Sequence, residues 1–551
     1  MVEIATPTET GAASLVEMLE RLEVELVFGL PGVHNLPIWK ALSDSNIRLV
    51  GVRHEQTAAY AADGYARATG RLGVALVTTG PGAANTLGAT GEAMAAGSPV
   101  LVIATDTSTA LRREGVYRGT LHETRDQTAM FVPVTKAARV VERADEIAPA
   151  TFEAGSTALA APTGPVYLGI PTNLLTHPVA SDPAPERGAS VRHVEPPAGL
   201  DRACELLATA ERPLIWAGGG ALRAGAGAAV AELAIKLAAP VITTFMGRGL
   251  LAPDHPCAVP GPAHAPEVGA LWDEADVVLA IGTDFDGTNT QNWQMPAPPT
   301  LIGVNVDEAD ANKSYACDIT LVGDARVVVG QMLPRVETRH GLAGLERRLA
   351  QIESDVAAWV EQDEEQAARM LEVMHRALPP ETVLVTDMCI PGYWLAGYWR
   401  PPRPRKLGYP LGWGTLGFGF PASLGAGLAG AGPTVCVVGD GGFMYACGEL
   451  ATVVQERIPL TIVLVEDGGY GMLRFDQVLS GEEPFGVDLV APDFRAFAAS
   501  FGVPATTVDG FGPEFEQELK RSIAAGAPEM LIVRAALKPP PTTSPRWYRR
   551  A

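Results

Sequence analysis

The chain has 551 residues, 47% hydrophobic and 19% charged, with 42 Lys and Arg against 63 Asp and Glu, a formal net charge of −21. At roughly 150 residues per domain this predicts three or four globular domains with ample core material, and it excludes a largely disordered chain. So acidic a surface repels phosphate backbones and anionic lipid, so neither nucleic acid nor a membrane is expected as a partner, and an anionic cofactor needs a metal, a glycine turn or a helix N-terminus to hold it.

Residues 1–11 carry acids and no apolar run, so no secretory signal is expected there. The six cysteines, Cys204, Cys257, Cys317, Cys389, Cys436 and Cys447, form no CxxC pair and read as buried thiols of a reducing compartment, which places the protein in the cytoplasm. Apolar runs at 24–28, 49–52, 74–78 and 100–104 read as buried parallel strands, with helices such as 56–68 between them. The apolar stretch 74–105 is broken by Gly80-Pro81-Gly82, Glu92 and Gly97-Ser98-Pro99, which suits an α/β core and not a membrane span. A strand at 164–171 closes this first domain, 1–177, and the Pro-, Ala- and Ser-rich stretch 178–199 reads as a linker. A second α/β domain, 198–335, carries strands at 213–217, 241–244, 277–281 and 301–306, and Asp324 opens its last helix. The charged stretch 344–376 reads as a connecting helix with an interruption. A third domain, 345–537, has strands at 383–385, 434–438 and 460–465, and 538–551 is a Pro-rich basic tail. The alternation predicts α/β architecture, with three doubly wound parallel-sheet domains.

Two turns in the third domain carry chemistry. One strand runs into Gly439-Asp440-Gly441-Gly442, and the next strand runs into Glu466-Asp467-Gly468-Gly469-Tyr470-Gly471. Glycines let a backbone approach a ligand closely, and the following helix offers its N-terminus to phosphate. Neighbouring parallel strands end side by side, so the two acids are placed to share a hard cation such as Mg2+. Either turn alone is an ordinary strand-to-helix loop; the pairing carries the reading.

These turns resemble those of the thiamine diphosphate (ThDP)-dependent decarboxylase and acetolactate synthase superfamily, and the resemblance runs over essentially the whole chain. It implies a pyrimidine-binding, a central and a diphosphate-binding domain. It also implies that Asp440, the Asp467 side chain and the Gly469 carbonyl hold Mg2+, with Gly441, Gly442, Tyr470, Gly471 and Met472 at the cofactor. Where the family has Asn-Asn, this chain has Glu466-Asp467, which adds negative charge beside the diphosphate and raises the need for metal.

In the first domain, Arg53-His54-Glu55-Gln56 followed by Ala62-Asp63-Gly64-Tyr65-Ala66-Arg67 is similar to the family's first-domain signature. By that likeness Glu55 bonds the aminopyrimidine ring of ThDP and promotes loss of the C2 proton; read alone, it is a charge at a helix start. Gly80-Pro81-Gly82 and Asn85 resemble the turn beside the active site, and Gly414-Thr415-Leu416 the loop that bends the cofactor, with Leu416 as the wedge. The reaction so implied runs through a C2 ylid and an enamine: a 2-oxo acid loses CO2, and the product is protonated or joined to a second carbonyl.

The central domain binds FAD in some members, and Gly218-Gly219-Gly220 leaves that open here. Asp476 stands where acetolactate synthases carry a Trp, and Leu121-His122-Glu123 where they carry Phe-Gln-Glu. The segments around His34 and His122 look more like a catabolic subgroup that includes 5-guanidino-2-oxopentanoate decarboxylase, with His122 and His34 as candidates for proton transfer or carboxylate binding. Asp476 and Glu466 are candidates to favour a cationic substrate tail. The resemblance also implies a homodimer or homotetramer with its active site between subunits. The competing readings are an inactive ThDP-binding homologue, a lyase or ligase of other carbonyl compounds, and a flavin- or nicotinamide-dependent oxidoreductase; no Gly-x-Gly-x-x-Gly with a ribose-binding acid supports the last.

Overall fold

A computed structural model describes residues 9–113, 115–179 and 195–541. The readings of 1–8, of most of the linker (180–194) and of the end of the tail (542–551) lie outside the described residues.

The first unit opens with β1 (Glu9–Thr10) and continues through β2 (Leu26–Gly29), β3 (Arg48–Gly51), β4 (Gly73–Val77), β5 (Val100–Asp106), β6 (Ala137–Val140), β7 (Val166–Pro171) and β8 (Pro178–Val179). β1 and β8 pair antiparallel and tie the unit's two ends together, while the other six form a parallel sheet in the order β3-β2-β4-β5-β7-β6. The second unit holds β9 (Pro213–Ala217), β10 (Val241–Thr243), β11 (Val277–Ile281), β12 (Leu301–Asn305) and β13 (Ile319–Val322), in the order β10-β9-β11-β12-β13. The third holds β14 (Val383–Thr386), β15 (Leu407–Gly408), β16 (Thr434–Gly439), β17 (Leu460–Glu466), β18 (Ala505–Asp509) and β19 (Glu529–Arg534), in the order β15-β14-β16-β17-β19-β18.

All three sheets are parallel apart from the β1–β8 pair, and helices flank them, as the doubly wound prediction requires. The first and third sheets share one topology. In each, the second strand lies outside the first and the third lies on its other side, so the connection reverses between first and third strands. Parallel sheets of this kind bind ligands outside the carboxyl ends of the strands at that reversal, here between β2 and β4 and between β14 and β16.

Between the second and third units run two helices, Leu342–Asp363 and Glu365–Ala377, broken at Glu364, whose extended backbone interrupts the helix and whose carboxylate caps the second. Asp324 caps the helix Ala325–Met332 through bonds from Arg326 N and Val327 N, as expected from the sequence. Cys204, Cys257 and Cys436 are buried, but Cys317, Cys389 and Cys447 are only half-buried; all six are free thiols. Among the described residues no helix is long and apolar enough to cross a membrane.

The first and third units share a hydrophobic core, in which Phe28, Tyr60 and Tyr167 join Phe418, Phe443 and Ile462. Its seam is a contact between the helices Glu55–Thr69 and Gly419–Leu428. A Cβ on Gly64 would lie 1.9 Å from the Ala422 carbonyl oxygen, and one on Gly425 1.8 Å from that of Ala61. Backbone meets backbone there, so no flexible side chain can yield. Gly425→Val is expected to destabilise the fold by about 3 kcal/mol or more, read as a large loss of Tm or of soluble protein. Gly88→Ala, where a Cβ meets nothing within 4 Å, is the control expected to stay near wild type.

Candidate active site

The third unit carries one half of the site. β14, β16 and β17 are neighbours that end at one edge of the sheet, β14 two residues short of β16 (Thr386 opposite Val437) and β17 one residue beyond it (Val465 opposite Gly439). The residues that follow the three strands therefore converge: Asp387, Asp440 and Asp467. Asp440 is 3% exposed; its Oδ1 accepts from Gly441 N at 2.8 Å and its Oδ2 from Gly468 N at 2.9 Å. Its carboxyl is hydrogen-bonded to that of Asp467. Burial and then the charge of Asp440 push the Asp467 carboxyl up to about 6, against the pull of Arg474; burial also raises Asp440, opposed by its backbone N–H bonds. Two carboxyls in contact inside a protein resist joint ionisation, and a cation between them removes that conflict.

Around this pair opens a cavity of about 110 Å3, lined among others by Met388, Tyr393, Leu416, Asp467, Tyr470 and Met472. Gly441, Gly442, Gly469 and Gly471 also line it. The Gly469 carbonyl oxygen lies 3.4 Å from a Cβ built on Gly441, so it faces the Asp440 turn. A Cβ on Gly471 would lie 2.2 Å from Asp467 Oδ2, so only glycine lets this helix start so close to the carboxylate. Arg474 braces the same turn, donating to the carbonyls of Asp467 (3.3 Å) and Gly468 (3.2 Å). Gly414 and Thr415 flank the cavity without lining it; Thr415 Oγ1 donates instead to Glu92 Oε2 at 3.2 Å.

Asp387 is a member of this half that sequence reasoning did not assign. It is 1% exposed, and accepts from Met388 N at 2.7 Å and from Gly417 N at 3.1 and 3.0 Å. Burial lifts its carboxyl to about 6, against the backbone N–H groups around it. Its signal was the one that marked Asp440, an acid directly after a buried strand.

The first unit carries the other half, at the equivalent reversal of its sheet. Glu55 opens the helix Glu55–Thr69 after His54, whose ring caps Gln56 N. The Glu55 carboxylate is 9% exposed; its Oε2 accepts from Asn85 Nδ2 at 2.9 Å, and its Oε1 lies 3.5 Å from a Cβ built on Gly82. Gly80 has φ +66° and donates its N–H to Gln127 Oε1 at 2.6 Å. Gln127, which sequence reasoning did not assign, is buried and also donates to Thr105 O and Tyr167 Oη, so it pins the Gly80-Pro81-Gly82 turn to the sheet. His122 has a left-handed backbone (φ +64°), and its carbonyl oxygen would lie 2.3 Å from a Cβ on Gly80. Its ring meets that of His34 edge-on at 5.2 Å. Both Nδ1 atoms are buried without a hydrogen-bond partner, and burial, then His122, lowers the His34 pKa.

Each half is thus internally assembled, yet no first-unit residue lines the cavity beside Asp467. Two acids expected to face a substrate do not line it either. Glu466, at the carboxyl end of β17, turns to Arg534 of β19 at 3.6 Å, and Asp476 lies one turn beyond Met472, where its charge raises the Tyr393 hydroxyl behind burial and the Cys389 and Asp387 contributions.

The donors suit Mg2+. Among the described residues no cluster of three or more His, Cys, Asp or Glu gathers to hold a metal; Asp440, Asp467 and the Gly469 carbonyl offer oxygen donors only, the type that Mg2+ takes. In the Gly218-Gly219-Gly220 turn, Gly218 and Gly220 pack against the turn at Gly282. A Cβ on Gly218 would lie 2.3 Å from the Gly282 carbonyl oxygen, and one on Gly282 2.3 Å from Ala221 N, so these glycines serve the contact of two loops. The cavity beside them, lined by Trp216, Phe245, Arg248 and His264, holds about 10 Å3, room for a single water.

The chain matches three family descriptions in succession: thiamine pyrophosphate enzyme, N-terminal TPP binding domain, over 9–130; central domain, over 200–332; and C-terminal TPP binding domain, over 388–533. It is 36% identical over 533 residues to a probable 2-ketoarginine decarboxylase of Pseudomonas aeruginosa, covering 94% of this chain and 92% of that protein. It is 32% identical over 548 residues to a probable acetolactate synthase large subunit of Methanocaldococcus jannaschii, covering 95% and 91%. To the acetolactate synthase isozyme 2 large subunit of Escherichia coli it is 30% identical over 505 residues, covering 90% of each.

Proposed function

This chain belongs to the thiamine pyrophosphate enzymes, and we propose that it is a Mg2+-dependent decarboxylase of a 2-oxo acid with a cationic, guanidino-bearing side chain. The observation that carries the cofactor half is the pairing of buried Asp440 with half-buried Asp467, beside a cavity that Asp467 and Leu416 line. The substrate half rests on the likeness to the protein named 2-ketoarginine decarboxylase.

When bound, thiamine diphosphate supplies a nucleophilic carbon and a cationic ring that accepts the electron pair left as CO2 departs. The chain does the rest. Asp440, Asp467 and the Gly469 carbonyl hold Mg2+, and Gly441, Gly442, Tyr470, Gly471 and Met472 bring backbone to the diphosphate. Leu416, held between Gly414–Thr415 and Gly417, lines the cavity and would pack against the bound cofactor. Glu55, steadied by Asn85, holds a proton at the pyrimidine ring nitrogen, beside the Gly80-Pro81-Gly82 turn. His122 and His34, each with a buried free Nδ1, deliver a proton to the product carbon, which favours release of an aldehyde over joining to a second carbonyl.

The two half-sites meet when a second copy brings its Glu55 to this chain's cavity, in a homodimer or homotetramer. Exposed apolar side chains beside each half support this: Val33, Leu36 and Leu121 on one, Leu473, Val478 and Leu479 on the other. Free thiols throughout fit a cytoplasmic enzyme.

Asp467→Asn tests the metal reading. It removes one like charge from beside Asp440 and the diphosphate, about 1–2 kcal/mol at such range in a partly screened site. The ratio of the ThDP Kd without Mg2+ to that with saturating Mg2+, measured by calorimetric titration, is expected to shrink about tenfold. An unchanged ratio contradicts metal binding at Asp467.

A further inference from the structure

We propose that Glu92, on the first unit, is a positioning residue that fixes the Leu416 loop of the third unit of the same chain, and through it the geometry of the bound cofactor; this rests on the reading that Leu416 faces ThDP. The loop 409–417 crosses between the two units and is gripped at three places. Tyr409 O accepts from Arg67 Nη1 at 2.7 Å. Gly417 N donates to both oxygens of Asp387. Between them, Glu92 Oε2 accepts from Trp413 N at 3.3 Å and from Thr415 Oγ1 at 3.2 Å. Leu416 follows Thr415 directly and lines the cavity, so the two bonds to Glu92 set where it stands.

Glu92 is 0% exposed and sits on the helix Leu87–Ala96. Its Oε1 accepts from Arg67 Nη2 at 3.1 Å, but that guanidinium is already committed in two-pronged fashion to Asp63, at 2.8 and 2.7 Å, and lies over the Phe418 ring. Two buried carboxylates therefore share one cation. A buried charge must be paired or hydrogen-bonded, and what remains of the Glu92 charge is met by the loop's own N–H and O–H. The Tyr60 hydroxyl meets Thr415 as well.

The neighbours of Glu92 on the same helix key the loop by shape. A Cβ on Gly91 would lie 2.5 Å from the Trp413 ring, and one on Gly412 2.2 Å from the Ala95 Cβ. Shape alone would seat the loop; the Glu92 bonds fix its register at Thr415. The helix that starts at Glu55 carries Arg67 in its last turn, so the first unit touches its own chain's loop at the end away from Glu55.

The test uses the full-length protein and the variants Glu92→Gln, Thr415→Val and the two combined. Three quantities are read: Tm of the apoprotein, the ThDP Kd with saturating Mg2+ by calorimetry, and kcat and KM for whichever 2-oxo acid the wild type decarboxylates. Glu92→Gln is expected to fold, to weaken ThDP about tenfold and to lower kcat at saturating cofactor about tenfold with KM little changed. Thr415→Val is expected to add nothing further in the Glu92→Gln background. A Tm loss with unchanged Kd and kcat, or effects of the two changes that simply multiply, overturns the proposal and leaves Glu92 as a packing charge. If Glu92→Gln does not fold, Thr415→Val alone decides, by lowering kcat and ThDP affinity or by leaving both intact. Wild-type protein that binds ThDP but releases no CO2 overturns the reaction proposed above, and the ThDP Kd then decides the role of Glu92. Wild-type protein that binds no ThDP overturns both.

Discussion

Glu55→Gln is expected to leave Tm and ThDP affinity within about threefold of wild type while lowering kcat by about 10²–10⁴-fold, the usual size of a lost proton-transfer group. The substitution keeps the volume of the side chain, and its amide oxygen still accepts the 2.9 Å bond from Asn85 Nδ2. What it removes is the site for a proton. At 9% exposure the carboxylate opens a helix whose other end is anchored against the third unit, so the position of residue 55 does not depend on its charge. A structural role would show as lower Tm with kcat intact in the folded fraction. Retention of activity within threefold would remove Glu55 from the mechanism.

Asp440→Ala is expected to abolish measurable ThDP binding at Mg2+ concentrations that saturate the wild type, a loss of at least about 100-fold. Three things go at once. A metal oxygen donor is lost. Gly441 N and Gly468 N lose the oxygens they donate to at 2.8 and 2.9 Å, at a cost of about 1–3 kcal/mol for buried donors left unpaired. Asp467, freed of its like-charged neighbour, loses one cause of its raised pKa. Asp440→Asn keeps an oxygen in place and is expected to bind more weakly than wild type but better than Ala. Calorimetric titration of the three proteins checks the order. Equal affinity in all three would place the metal elsewhere.

The α/β alternation was legible because the central strands are buried on both faces and so appear as continuous apolar runs, as β5, β16 and β17 do. β6, β13, β15, β18 and β19 were not: the first four are short edge strands only partly covered, whereas β19 lies buried inside its sheet and was missed although Met530 to Val533 form an apolar run. The strand at 164–171 is last in its unit's main sheet by sequence but lies inside it, with β6 outermost. Within the site, side chains next to strand ends were readable, and so was the Asp440–Asp467 pairing, since a parallel crossover fixes which strand ends are neighbours. Gln127, Asp387 and Glu92 were not assigned. Gln127 and Glu92 reach their partners across 22 to 323 positions of sequence, by bonds that no local spacing announces. The sequence offered Glu466 as a candidate to favour a cationic substrate tail; it closes β17, where Arg534 of the neighbouring β19 pairs with it at 3.6 Å.

The measurement that bears most directly on the account is CO2 release from a panel of neutral, aromatic, anionic and guanidino 2-oxo acids, with and without ThDP and Mg2+. The account predicts release that requires both cofactors and is fastest with the guanidino acid. Release that ignores ThDP or Mg2+, or none from any acid by protein shown to bind ThDP, would contradict it.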